Sequence, residues 1–323
     1  MNIYICSTPY HVFVSLLHLF NSKEDCTFLL TTHDSNSEKI FNTIKPKLLK
    51  LSQINKVIIR KRSSFKEKIM LEKLKDYFDY KENKAIYLNA THVYNFAWSP
   101  YSLYTTSNFL YKRSNNVTLI EEGAQMYNAP KPHIITQIIK KYIYGVNTSF
   151  FSEEKTHRIL VQFPEKYPQH LYPKLDQLRL NDYINSLSSE ERKKIISIFL
   201  SDNIANLISF TDNTNNIIVL TQPLSEDGII TSEEKKELYK KVVSDYSKDN
   251  TIILKRHPRE KNKYGLNNVI EIDGVFPSEI FSLLNIKFKK AIGICTSAVH
   301  FINADEKINL DEDFIKKKKS KSM

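Results

Sequence analysis

Residues Asn116–Gly123 read NVTLIEEG, a β-branched and aliphatic run that stops at two carboxylates, Glu121 and Glu122, before one of only six glycines in 323 residues. The run predicts a buried strand. In α/β proteins the carboxyl ends of strands open onto the ligand crevice, so polar residues there can act on a ligand. The glycine indicates a backbone shape or a close approach that a side chain would block. The alternative is an ordinary strand end with two solvated glutamates and a turn glycine.

Strand-like and helix-like segments alternate through the first half of the chain, and the alternation restarts after the linker-like hexapeptide Thr211–Asn216. Such alternation implies parallel sheets covered by helices. We therefore predict an α/β protein with two Rossmann-like domains, residues 1–210 and 217–323, whose parallel sheets face a central cleft. Predicted segments include a strand at Ala85–Asn89, a helical stretch over 175–207 and a helix from Ser297.

The length of the chain favours two domains, since single cores stop growing at roughly 250 to 300 residues. Because the chain has no stretch of about 18 apolar residues, and its N-terminus has neither a basic region nor a cleavage site, we interpret the protein as cytoplasmic. Three cysteines, Cys6, Cys26 and Cys295, lie within apolar runs. Their odd number argues against disulfides, and no spacing suggests zinc.

A formal charge of +11, from 47 Lys and Arg against 36 Asp and Glu, predicts an anionic partner. A polyanion, an anionic membrane face and an anionic substrate all fit. The most concentrated charge is the tail Lys316–Lys319 with Lys321, which could hold the protein peripherally at the inner face of the membrane. A solvated, disordered tail is the alternative.

Four predicted strand ends lead into polar or conformationally special residues: Ser7-Thr8-Pro9, Glu121-Glu122-Gly123, His257-Pro258 and Thr296-Ser297. Pro258 restricts His257 to extended geometry, and a histidine held there can donate a proton or bind phosphate as a cation. Hydroxyls between a strand and a helix can bind an anion. Both ends should open onto one rim of the second domain, which predicts a phosphate site. A surface histidine and a plain helix cap are the alternatives.

Several nucleotide-binding patterns are absent. The sequence contains no GxGxxG, no GxxxxGK[ST] and no DxD-like metal pair at a predicted strand end. Dinucleotide binding, P-loop chemistry and metal-dependent sugar transfer are therefore disfavoured. Phosphate charge would have to be met by protein groups.

The set E-E-G, then H-P, then T-S, in this order along nearly the whole chain, resembles the bacterial sialyltransferases. The opening ICSTPYH is most similar to the lipooligosaccharide and capsule sialyltransferases of glycosyltransferase family 52. The resemblance and the two facing domains imply a glycosyltransferase-B type fold. They also imply inverting, metal-independent and cofactor-independent transfer of N-acetylneuraminic acid from CMP-sialic acid to a terminal galactose, with the α-2,3 linkage favoured.

The resemblance implies a role for each matching residue. Glu121 is the preferred base, but neighbours on a strand point to opposite faces, so Glu122 is an alternative and Asp227, in a loop of the second domain, is a rival. His257 would stabilise or protonate the departing phosphate. Residues implied to bind the donor or line the cleft are Pro258, Glu279 (at the ribose), Thr296, Ser297, Ser7 and Thr8. The motifs depart from the commoner Asp-Asp and Ser-Ser, which leaves linkage and acceptor open.

Two other functions compete with sialyl transfer. The same scaffold could transfer another sugar, such as glucose from a nucleotide-diphosphate donor. A non-catalytic polyanion-binding protein would fit the charge of +11. The sequence has no DNA- or RNA-binding motif, so we expect no nucleic-acid partner.

Overall fold

The computed structural model describes residues 1–32, 35–61, 69–96, 114, 116–121, 134–135, 138, 156–201, 215–260, 263–272, 276–284 and 286–310. The chain divides into two compact units, Met1–Ser188 and Ser189–Met323. Each unit contains a parallel sheet, which confirms the predicted α/β class. The predicted linker Thr211–Asn216 lies mostly outside the described residues, so the boundary between 210 and 217 stays a prediction.

The first unit is built on a parallel sheet with the strand order β3-β2-β1-β4-β5-β6-β7 in the described part of the chain. Its strands are β1 (Asn2–Cys6), β2 (Cys26–Thr32), β3 (Ile54–Lys61), β4 (His92–Asn95), β5 (Val117–Ile120), β6 (Thr156–Val161) and β7 (Leu175–Gln177). Its helices are α1 (Pro9–Ser22), α2 (Ser35–Leu48), α3 (Ile69–Glu82), α4 (Lys84–Leu88), the 3₁₀ helices η1 (Pro164–Lys166) and η2 (Gln169–Lys174), and α5 (Leu180–Ser186). β1, β2 and β5 are buried along their whole length, as expected for a parallel sheet covered on both faces.

The start of α1 follows from its sequence. Thr8 is the N-cap, and its hydroxyl accepts a hydrogen bond of 3.2 Å from the backbone N–H of His11. Pro9 occupies the first turn, where the N–H that it lacks would have no helical partner. Lys23 is the C-cap that follows the helix; it has a left-handed backbone (φ 57°), and its N–H donates to the carbonyl of Leu19. The carboxyl end of β1 therefore turns directly into a helix.

The second unit has a parallel sheet with the order β10-β9-β8-β11-β12 among its described residues. The strands are β8 (Asn216–Leu220), β9 (Thr251–Lys255), β10 (Val269–Ile272), β11 (Phe288–Ile294) and β12 (Ala304–Leu310). The helices are α6 (Ser189–Phe199), α7 (Ser232–Tyr246) and the 3₁₀ helices η3 (Ser278–Leu283) and η4 (Ser297–Phe301). The predicted capping box of Thr231 and Glu234 opens α7, with both of its hydrogen bonds formed. Buried aliphatic side chains of β8, β9 and β11 pack against α7.

Three predicted segments are wrong in detail. The predicted strand Ala85–Asn89 is the helix α4, and the strand next to β1 is His92–Asn95, because a short apolar run has no period that distinguishes strand from helix. The stretch 175–207 divides into β7, α5 and α6 before it leaves the described residues. The helix expected from Ser297 is a 3₁₀ helix of five residues, followed by a strand that was not predicted. The DxD-like Asp311-Glu312-Asp313 follows this strand in sequence, so the predicted absence of such a pair at a strand end is wrong; the three residues lie outside the described part of the chain.

Within the described residues, no helix is both long enough and apolar enough to cross a membrane.

Candidate functional site

The carboxyl edge of the second sheet brings three strand ends together. β8 lies between β9 and β11, and these strands lead into Thr221, His257 and Thr296 respectively. Neighbouring strands are about 4.8 Å apart, so the ends of β9 and β11 are about 10 Å apart. The strand order reverses beside β8, since β9 and β10 lie on one side and β11 and β12 on the other. Such a reversal is where open α/β sheets form their ligand crevice.

His257 is anchored through its main chain. Its backbone N–H lies 2.8 Å from Oε2 of Glu260 and 3.0 Å from Oγ1 of Thr221. The ring nitrogen Nδ1 accepts a hydrogen bond of 3.2 Å from the backbone N–H of Arg259. A neutral imidazole that accepts at Nδ1 carries its proton on Nε2. The ring is therefore set to donate a hydrogen bond from Nε2.

The imidazole of His257 is neutral at physiological pH. Burial, together with the nearby cations of Arg259 and Lys255, lowers its pKa to about 3. The sequence predicted a proton donor or a cationic ligand at this position. A neutral ring would contact an anion as a hydrogen-bond donor, and proton donation would need a bound anion that raises the pKa of His257.

Asp227, the rival base, lies in an ion pair. Arg259 contacts it with two parallel hydrogen bonds, from Nη1 to Oδ1 at 2.7 Å and from Nη2 to Oδ2 at 2.9 Å. Both carboxylate oxygens are therefore engaged. The pair ties the loop after β8 to the turn that contains His257 and the half-buried Pro258.

Thr296 is buried to 8% exposure and caps η4 by accepting a 3.3 Å hydrogen bond from the N–H of Ala298. Its own N–H donates to Oδ1 of Asn309 on β12 at 3.1 Å. A Cβ added to Gly293 would come within 2.4 Å of the Thr296 methyl group, so glycine is needed there for close approach. A helix of five residues offers little dipole, so an anion here would depend on hydroxyl and N–H groups. The side chain of Ser297 lies outside what the structure describes.

Glu279 lies in the first turn of η3 and is 8% exposed. Burial raises the pKa of its carboxyl group to about 7, although the charge of Lys255 opposes that shift. The Lys255 ammonium, itself buried, lies 4.3 Å from the ring centroid of Phe276 and donates to the carbonyl of Arg256. The position expected at the ribose thus holds a carboxyl group that changes its charge near neutral pH.

The first unit presents a different strand end. Glu121 follows β5, is 1% exposed, and accepts hydrogen bonds from the backbone N–H of Gln162 at 2.8 Å and from its side-chain amide at 3.2 Å. These contacts join the ends of β5 and β6. Glu122 and Gly123 lie outside the described residues. The catalytic role of Glu121 stays a prediction, but its carboxylate is enclosed by protein.

Ser7 and Thr8 lie at the carboxyl end of β1. The Ser7 hydroxyl lies 3.1 Å from Nδ1 of His11, while Thr8 caps α1. Their predicted contact with the ligand stays a prediction.

Sequence inspection missed residues that hold these strand ends from a distance. Gln162 is 41 positions from Glu121, and Thr221 is 36 from His257. Glu260 was within reach of the motif, since the sequence reads HPRE and its partner Tyr264 follows closely, but its partner Lys235 lies on the distant helix α7. Among the described residues, no three His, Cys, Asp or Glu side chains are grouped as metal ligands. Metal independence stays a prediction.

Two α/β units, each built on a parallel sheet, define the class of fold as the glycosyltransferase-B type. The chain belongs to the alpha-2,8-polysialyltransferase (POLYST) family, whose model matches residues 2–304. The predicted resemblance to bacterial sialyltransferases of glycosyltransferase family 52 is thereby confirmed. Membership in an enzyme family also disfavours the non-catalytic alternative.

Solved structures agree with this fold. The 2,6-sialyltransferase of Photobacterium sp. JT-ISH-224, solved with CMP and lactose, aligns with a TM-score of 0.59 at 10% identity and covers 95% of this chain and 71% of its own. The glycosyltransferase-B domain of a Photobacterium damselae sialyltransferase aligns with a TM-score of 0.56 at 13% identity. The alignment covers 95% of this chain and 89% of that domain. UDP-GlcNAc 2-epimerase of Methanocaldococcus jannaschii aligns with a TM-score of 0.52 at 14% identity. The alignment covers 100% of this chain and 92% of the epimerase chain. At such identities the likeness shows the fold alone.

An uncharacterised protein of Haemophilus influenzae is 29% identical over 204 residues, which are 62% of this chain and 63% of that protein. The match therefore spans less than two thirds of that relative.

Proposed function

We propose that the protein transfers N-acetylneuraminic acid from CMP-sialic acid to a terminal galactose of a capsular or lipooligosaccharide glycan, by inversion and without a metal. The observation that carries the proposal is the edge of the second sheet, where His257 and Thr296 follow the strands on either side of β8. Family membership supports sialic acid as the transferred sugar. The CMP and lactose in the Photobacterium complex support the class of donor and acceptor.

In this proposal the acceptor hydroxyl oxygen attacks the anomeric carbon of sialic acid. The bond from that carbon to the CMP phosphate oxygen breaks, its electron pair stays on the phosphate, and the hydroxyl proton goes to a carboxylate base. A single displacement inverts the configuration. His257 donates a hydrogen bond from Nε2 to the departing phosphate, and Thr296 and Ser297 bind the same group. Glu279 binds the ribose.

The base comes from the Glu121-Glu122 pair. Glu121 is enclosed by Gln162, which favours Glu122. The ion pair of Asp227 with Arg259 makes Asp227 the weaker rival. Geometry in a ligand-free structure does not exclude a base, so mutagenesis must decide among the three.

The acceptor has two candidates. Lactose in the Photobacterium complex supports galactose, and we retain the α-2,3 linkage. The family description favours a second candidate, in which a terminal sialic acid accepts an α-2,8-linked residue. Purified protein should be incubated with CMP-sialic acid and either lactose or an α-2,8-linked sialic acid oligomer. The linkage formed with the better acceptor selects between them.

The donor is tested separately by nucleotide release. We expect CMP release from CMP-sialic acid and none from UDP-glucose, with release lost in His257→Asn. Turnover of UDP-glucose alone would replace the proposal with transfer from a nucleotide diphosphate. Activity that survives exhaustive chelation supports metal independence. Peripheral contact with anionic lipid through Lys316–Lys319, and a cytoplasmic location, remain proposals, because the tail lies outside the described residues.

A further inference from the structure

The turn that follows β9 is closed by its own backbone. The N–H of Glu260 donates to the carbonyl of His257 at 3.0 Å, and the N–H of Arg259 donates to Nδ1 of the His257 ring. The ring orientation therefore depends on the conformation of four consecutive residues. Whatever holds this turn in place also determines which imidazole nitrogen carries the proton.

Glu260 holds the turn in place. Its side chain is fully buried, and Oε2 accepts hydrogen bonds from the backbone N–H of His257 at 2.8 Å and from the Thr221 hydroxyl. Thr221 also accepts from the same His257 N–H at 3.0 Å. The carboxylate thus joins the end of β8 to the turn after β9.

The other carboxylate oxygen is held from the opposite side. Oε1 accepts a 2.6 Å hydrogen bond from the Tyr264 hydroxyl and lies 3.0 Å from the Lys235 ammonium. Lys235 is also 2.7 Å from Glu226. A buried carboxylate needs such compensation, and this one has it at both oxygens. Four groups from different parts of the second unit therefore fix Glu260.

We propose that Glu260 is the positioning residue for His257, which it keeps in the tautomer that donates from Nε2. Glu260 acts only through the main chain of the turn and leaves the ring to contact the ligand. Its catalytic consequence rests on the proposed function, whereas its effect on the tautomer does not.

The test compares variants that disturb the contacts of Oε2 of Glu260 with a variant that disturbs a contact of Oε1. Glu260→Gln and Thr221→Val disturb the side that holds His257. Tyr264→Phe is the matched control, because it removes one hydrogen bond of similar burial from the opposite oxygen. Full-length protein labelled with ¹⁵N-histidine reports the tautomer in long-range ¹H–¹⁵N spectra, with His257 assigned by the loss of its signal in His257→Asn.

We expect wild type and Tyr264→Phe to show the neutral tautomer with the proton on Nε2, and the other two variants to show a mixture. We also expect kcat to fall about tenfold or more in Glu260→Gln and Thr221→Val, because small misplacements of a catalytic group are costly, with the KM for acceptor unchanged. An unaltered tautomer in folded Glu260→Gln, or an equal change in Tyr264→Phe, overturns the proposal. If Glu260→Gln does not fold, Thr221→Val decides. If the variants change the tautomer of His257 but the wild-type protein does not transfer sialic acid, the proposed function is refuted and the positioning role of Glu260 stands.

Discussion

Two motifs at strand ends, one in each unit, are anchored in opposite ways. Glu121 after β5 is held by its carboxylate, which Gln162 contacts with both backbone and side chain. His257 after β9 is held by its backbone N–H, while Nδ1 of its imidazole accepts from the backbone N–H of Arg259. When a side chain itself forms the anchoring hydrogen bonds, its polar atoms are already used. When the backbone forms those bonds instead, the side chain can still contact a ligand. On this comparison we propose a structural role for Glu121 and a chemical role for His257.

Substitution of His257 should have the largest effect. In His257→Asn the backbone anchors remain and an amide oxygen can replace Nδ1 as acceptor, but the donor at Nε2 is lost. We expect kcat to fall by about 10²- to 10⁴-fold, the usual contribution of a proton-transfer group. Steady-state transfer rates measure the change in kcat, and a melting curve measures the change in stability. The exposed His170→Asn serves as control, and a loss of folding in His257→Asn would break the comparison.

The glutamate pair tests the other half of the comparison. We expect Glu122→Gln to lower kcat by about 10²- to 10⁴-fold without affecting stability. Glu121→Gln should instead lower the free energy of unfolding by about 1–3 kcal/mol, because a buried charge-assisted hydrogen bond is weakened. Urea unfolding and transfer rates for both variants give the answer. A stable but inactive Glu121→Gln would restore Glu121 as the base.

Crowding at Gly293 should have a smaller, donor-specific effect. In Gly293→Ala the new Cβ displaces the Thr296 methyl group. We expect CMP to bind about tenfold more weakly, a loss of ~1.4 kcal/mol in binding free energy. Calorimetric titration with CMP measures the loss. The double variant Gly293→Ala with Thr296→Ser removes that methyl group and should recover most of the affinity. No recovery would mean that Thr296 is not the group displaced.

The pH dependence of nucleotide binding should be the mildest effect. With the pKa of Glu279 raised to about 7, its ionised form, which accepts hydrogen bonds from a ribose, is depleted as pH falls. From pH 8 to pH 6 we expect affinity to fall about tenfold, following the fraction of competent protein. Cytidine as the ligand excludes titration of the phosphate. A slope that persists in Glu279→Gln would assign it to another group.

The sequence predicted what depends on local pattern. Aliphatic runs that end at His257 and Thr296 gave the parallel sheet, the strand ends and the candidate residues, because burial and turn chemistry are local signals. It could not predict that Glu121 would be enclosed by Gln162 or that Asn309 would hold Thr296, since these contacts depend on which strands become neighbours. The neutral state of His257 also depends on burial that only the folded chain provides.

β12 also protects the sheet from association. Among the described residues it is the edge strand of the second sheet, where it pairs in parallel with β11 and carries the charged, exposed residues Asp305, Glu306 and Lys307. Charged edge strands block intermolecular strand pairing. A chain cut before Ala304 would uncover β11, whose residues 291–294 are buried, and would lose Asn309 as well. We expect such a chain to aggregate, and the loss of donor binding would accompany the loss of solubility.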